Sequence, residues 1–154
     1  MKYAIVYDSF SPHKTTRRAA EEMAGIVRAA GHEVYLAPVK EAEVQKVRDC
    51  DVICIGSWTQ GLFFFFQHAT ERIHTFMYRL RPINAKRACV FCTFKTSYGK
   101  MLEKMADELR ASGAVVTGLF SSRWPHASPD FIAWMESLEV PTRSEVVAGF
   151  NEEF

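Results

Sequence analysis

Three short segments of this chain carry the residue types that do chemistry. The first reads Asp8-Ser9-Phe10-Ser11-Pro12-His13-Lys14-Thr15-Thr16 and runs into a helical pattern. It offers hydroxyls at 9, 11, 15 and 16 beside the N–H groups of a helix start. That combination binds anions without any need for net charge. Lys14, Arg17 and Arg18 add local positive potential. A Ser or Thr ahead of a helix also serves as an ordinary cap, so the segment alone admits both readings. It is neither a Walker loop nor a dinucleotide fingerprint, because GxxxxGK[ST] and GxGxxG are both absent.

The second segment is Gly56-Ser57-Trp58-Thr59-Gln60-Gly61, followed by Leu62 and the phenylalanines Phe63 to Phe66. So much aromatic surface in a loop calls for something planar or apolar to cover it. The blander alternative has Phe63 to Phe66 opening a helix and packing inward. Four successive residues pass around more than one helical turn, so all four cannot face one core. The third segment, Thr93-Phe94-Lys95-Thr96-Ser97-Tyr98-Gly99, adds aromatics and a cation. Together the three supply an anion-binding end, polar groups midway and flat apolar walls. Those are the requirements of a mononucleotide with a large planar base.

The elements that must position these segments follow from two alternating periodicities. Tyr3 to Tyr7 is short, apolar and β-branched or aromatic, as a strand covered on both faces should be. From Lys14 to Ala30 the apolar spacing becomes helical, with Ala19, Met23, Ile26, Val27 and Ala30 on one side, and Gly31 stops the helix. The cycle repeats: strand Glu33 to Ala37, helix Glu41 to Arg48, strand Val52 to Ser57, helix Gln67 to Leu80, strand Arg87 to Phe94, helix Gly99 to Ser112. A fifth strand, Ala114 to Phe120, follows Gly113. The last helix, Pro129 to Leu138, has Ser128 as its cap. Five β–α units in series predict an α/β three-layer sandwich, a doubly wound five-stranded parallel sheet with right-handed crossovers, for which the order 2-1-3-4-5 is expected, the order that the family resemblance given below also implies. In that order the ligand crevice lies outside the carboxyl ends of strands 1, 3 and 4, which is where the three segments fall. One domain is expected, with a core over 1–139 and a tail over 140–154.

Cys50, Cys54, Cys89 and Cys92 sit in or beside strand-type apolar runs, where Cys89 and Cys92 point to opposite faces. They read as inert buried thiols, which suits a reducing cytoplasmic compartment. His13, His32, His68, His74 and His126 are scattered. His68 and His74 share the predicted third helix at a spacing that separates their faces, so no metal site is expected. The longest strictly apolar run, Leu62 to Phe66, is too short to span a bilayer. With 19 Lys+Arg against 18 Asp+Glu the net charge is +1, which gives no electrostatic basis for nucleic-acid or membrane binding.

Ala4-Ile5-Val6-Tyr7-Asp8-Ser9 leading to Thr15-Thr16, Asp51 to Ser57 leading to Gly61, and Phe91 to Phe94 with Ser97-Tyr98-Gly99 resemble the short-chain flavodoxin family over residues 1 to about 139. The resemblance implies a cofactor, FMN. Ser9, Phe10, Ser11, Pro12, His13, Lys14, Thr15 and Thr16 would wrap its phosphate. Ser57, Trp58, Thr59, Gln60 and Gly61 would pass beside the ring, with Gly61 matching the glycine whose peptide flips on one-electron reduction. Thr93, Phe94, Lys95, Tyr98 and Gly99 would flank the other side. It further implies an electron-transfer protein serving redox partner proteins, as a monomer or weak homodimer. The alternatives are an FMN-dependent NAD(P)H:quinone-type reductase, with Trp58, Phe63, Tyr98 and Trp124 lining a pocket, and a binding module that has lost the flavin. Two departures stand out. Pro12 and His13 replace the Gly-Asn pair of the family's phosphate loop, and the chain lacks the acidic excess usual in flavodoxin carriers. A phosphoacceptor receiver shares the strand order but needs an aspartate ending strand 3, where this chain has Gly56-Ser57.

Overall fold

In the computed structural model, residues 1–9, 14–62, 65–94, 97–123 and 125–139 are described, with only the backbone for 61, 62 and 65–67. Phe10, Ser11, Pro12, His13, Phe63, Phe64, Lys95, Thr96, Trp124 and the tail 140–154 lie outside the described residues.

The elements run β1 (Lys2–Asp8), α1 (Thr15–Ala29), β2 (Glu33–Pro38), α2 (Val44–Arg48), β3 (Val52–Trp58), β4 (Gln60–Leu62), β5 (Phe65–His68), α3 (Glu71–Arg79), β6 (Arg87–Thr93), α4 (Met101–Ala111), β7 (Val115–Ser122) and α5 (Asp130–Ser137). Five strands form one sheet in the order β2-β1-β3-β6-β7, every pair parallel. Counting those five alone, this is the expected 2-1-3-4-5.

Strand alternation divides the core into two layers. Ala4, Val6, Ile53, Ile55, Val90 and Cys92 pack with α2, α3 and α4. Tyr3, Ile5, Tyr7, Cys54, Cys89 and Phe91 pack with α1 and α5 on the opposite face. Cys89 and Cys92 therefore lie on opposite faces, as their spacing requires. Gly56 and Phe91 are register partners, and a Cβ at Gly56 would lie 2.1 Å from the Phe91 ring, so the glycine makes room for the aromatic.

The amino-terminal ends of the strands are closed by cations on carbonyls. Arg48 donates to the carbonyls of Arg79, Leu80 and Arg81, and Lys86 to those of Arg48 and Cys50. Positive groups at helix carboxyl ends satisfy acceptors that the helix leaves unpaired.

The third helix is where structure and sequence expectation part. It begins at Glu71, not Gln67. The residues ahead of it form an antiparallel hairpin, with Gln60 opposite His68 and Leu62 opposite Phe65. Five consecutive apolar residues carry no helical period, and aromatics favour strands. Thr70 then stops the strand and starts the helix, accepting the Ile73 N–H on its hydroxyl. His68 and His74 consequently share no helix. In α1 the inward stripe is Thr16, Ala19, Ala20, Met23, Ala24 and Val27, while Ala30, past the helix end, is exposed.

Candidate functional site

The sheet order turns at β1, with β2 on one side and β3 on the other, and the segments following β1, β3 and β6 meet above this edge.

In the first segment Ser9 Oγ accepts the Arg17 N–H at 3.1 Å and so caps α1 from outside the helix. Ser9 keeps its own hydroxyl proton available for another acceptor. Lys14 precedes the helix in the left-handed conformation, φ 51°, which turns the chain sharply into Thr15. Lys14 and Arg18 are exposed and Thr15 is half-buried. Thr16 is fully buried, and its hydroxyl lies 2.6 Å from that of Thr93. Two of the expected ligand residues thus meet each other at the floor of the site.

In the second segment Ser57 is buried. Its hydroxyl donates to the Trp58 carbonyl and accepts the Thr70 N–H at 3.1 Å. Thr59 sends both its N–H and its hydroxyl to the carbonyl of Thr93, at 3.1 and 3.0 Å. Trp58, Thr59 and Gln60 are half-buried, and Gly61 is the middle residue of β4. In the third segment Phe94 and Tyr98 pack with ring centroids 4.9 Å apart. The Arg123 guanidinium, just past β7, stands 5.5 Å over the Phe94 ring. Gly99 adopts φ 55° and donates its N–H to Ser97 Oγ.

Sequence reasoning passed over a second polar node. Asp8, 7% exposed at the end of β1, accepts the Thr70 hydroxyl at 2.8 Å and lies 3.6 Å from Arg72. A cleft lined by Asp8, Ser9, Trp58, Gln60, Thr70 and Arg72 opens there. The available signals were the carboxylate at a strand's carboxyl end and a Thr preceding a helical period.

The thiols are set apart from this chemistry. All four are free and buried; burial pushes the Cys92 thiol up to about 12 and raises Cys50 and Cys89 as well. His32, His74 and His126 pair with Glu139, Glu108 and Glu22. Among the described residues no group of three or more His, Cys, Asp or Glu is placed to hold a metal, and no helix is long and apolar enough to cross a membrane.

The donor set suits a flavin mononucleotide. Ser9 and Thr15 stand at a helix amino terminus beside exposed cations, and Phe94, next in the chain to Thr93, packs on Tyr98.

No protein-family model matches the chain, and no curated protein matches it by sequence. Solved structures do. The two-electron reduced flavodoxin of Megasphaera elsdenii superposes with a TM-score of 0.73 at 23% identity, covering 84% of this chain and 93% of that one. Oxidised flavodoxin 2 of Bacillus cereus gives 0.71 at 24% identity over 89% and 99%. The Streptococcus pneumonia TIGR4 flavodoxin gives 0.69 at 17% identity over 97% and 99%. At such identities the likeness is one of architecture, and it extends over nearly the full length of both partners: the chain has the flavodoxin fold.

Proposed function

We propose that this chain binds FMN across the three segments and carries electrons between redox partner proteins. One observation carries the reading. At the point where the sheet order turns, an anion-ready helix start and an aromatic pair are joined through a single buried residue, Thr93. Ser9 to Thr16 would hold the phosphate, with Thr16 supporting the segment from beneath. Ser57 to Gly61 and Thr93 to Gly99 would flank the ring. The bound flavin would supply the redox chemistry. The protein would orient it, exclude water from one face with Phe94 and Tyr98, and leave an edge open to a partner. Four free, buried thiols support a cytoplasmic setting. A near-neutral chain suits either a monomer or a weak homodimer.

A second reading, an FMN-dependent NAD(P)H:quinone-type reductase, is favoured by the cleft beside Trp58 and Gln60, which would give a substrate room next to a flavin held as proposed. A visible spectrum of the purified protein, followed by FMN titration, tests the shared premise. A colourless protein that binds neither FMN nor riboflavin sinks both readings. NAD(P)H oxidation by the flavin-loaded protein with no added reductase then selects the enzyme over the carrier.

A further inference from the structure

The buried hydroxyl pair of Thr16 and Thr93 is an expensive choice for this part of the fold. Thr16 is 0% exposed and Thr93 4%, and two valines would fill the same volume with no polar groups to desolvate. The bond between them spans 77 positions at 2.6 Å, and it locks the second residue of α1 to the last residue of β6. The carbonyl of Thr93 receives both the N–H and the hydroxyl of Thr59, which locks the corner between β3 and β4 to the same residue. From Thr16 the tie continues one residue along α1 to Arg17, whose N–H is capped by Ser9. A single residue thus connects all three segments. The Thr93 hydroxyl is engaged by Thr16, beneath the segments it joins.

We infer that Thr93 is a positioning residue. It fixes the distance between the segment that receives the phosphate and the segments that flank the ring, and so selects the phosphorylated flavin over the unphosphorylated one. The inference rests on the flavin reading above. It differs from a binding role because Thr93 acts through Thr16 and Thr59 and through no contact of its own hydroxyl with ligand. It differs from a purely structural role because its loss falls unequally on two ligands that share a ring. A loosened helix start misplaces the phosphate donors, whereas the ring walls formed by Phe94 and Tyr98 stay in place.

The test titrates wild type, Thr93→Val, Thr93→Ser and Thr16→Val with FMN and with riboflavin. The flavin-free forms are followed in parallel by amide hydrogen exchange. Thr93→Val should weaken FMN about tenfold, the scale of one buried hydrogen bond, while riboflavin changes far less. Thr16→Val should reproduce this from the other side, and Thr93→Ser, which keeps the hydroxyl, should restore the wild-type ratio. Without flavin, the Arg17 amide should exchange faster in both valine variants. An unchanged ratio of the two affinities in the valine variants overturns the inference, as does unchanged exchange at Arg17. Failure of the wild type itself to bind either flavin is read separately, in the first row of the titration, and removes the flavin reading and this role together.

Discussion

The carboxylate of Asp8 accepts the hydroxyl proton of Thr70 at 2.8 Å, joining the end of β1 to the start of α3 across 62 positions. The same hydroxyl accepts the Ile73 N–H, and the Thr70 N–H goes to Ser57. One threonine therefore caps a helix, satisfies a buried carboxylate and anchors the strand beside it. Replacing Thr70 with Val should lower the unfolding free energy by about 1–3 kcal/mol, combining a lost cap with a buried carboxyl group that loses its hydroxyl donor and, among the described residues, keeps only Arg72. Thr70→Ser should recover most of it. Urea denaturation reads both, and a loss below about 0.5 kcal/mol in the valine variant would show that the node contributes nothing.

The phosphate assignment has its own test. Ser11→Ala combined with Thr15→Ala should weaken FMN binding by about 1–3 kcal/mol, the range for hydrogen bonds to a charged group, and leave riboflavin nearly unaffected. Flavin fluorescence quenching measures both affinities. Equal losses for the two ligands would place the phosphate elsewhere.

The buried thiols predict a pH dependence. Cys92 is held to about 12 from an ordinary value of 9.0, and burial moves Cys50, Cys89 and the Tyr7 phenol in the same direction. Their folded values lie above the unfolded ones, so the folded state keeps protons that the unfolded state releases. This contribution is complete below pH about 9 and is lost as the pH climbs from there towards about 12. Thermal melts should accordingly lose stability across that alkaline window. A thiol reagent at pH 8 should label the four cysteines only after denaturation; rapid labelling of the native protein would contradict it. Cys89→Ala with Cys92→Ala should leave flavin content intact and cost about 1–3 kcal/mol in packing.

Gly56 and Phe91 form a steric couple on neighbouring strands, with space for one side chain where two would stand. Gly56→Ala should cost about 1–3 kcal/mol by overpacking. Phe91→Leu in the same background should recover part of that loss, so the two changes should be clearly non-additive in a double-mutant cycle. Additive effects would mean that the ring moves aside freely.

The five strands, the alternation with helices and the two-faced placement of Cys89 and Cys92 are legible in the residues themselves. They depend on local period: two for strands, 3.6 for helices. Ile73, Phe76, Met77 and Leu80 are buried as their spacing requires, and so are Leu102, Met105, Ala106 and Leu109. Parallel strands with right-handed crossovers put the three segments at one edge of the sheet, while which strands lie side by side is decided by packing, because more than one doubly wound order shares that handedness.

What the tertiary structure decided is where local period is silent. The run Leu62 to Phe66 has no alternation to read, and the antiparallel pairing around it depends on Gln60 finding His68 and Leu62 finding Phe65. The hydroxyls of Ser9, Thr16, Thr70 and Thr93 carry no mark that distinguishes a ligand donor from an internal tie. Thr16 faces inward because α1 lies against the sheet in the one rotation that buries Ala20, Met23 and Val27, and that rotation carries its hydroxyl to Thr93. A hydrogen bond between residues 77 apart is set by how two elements pack, and packing is a property of the whole core rather than of any window of sequence.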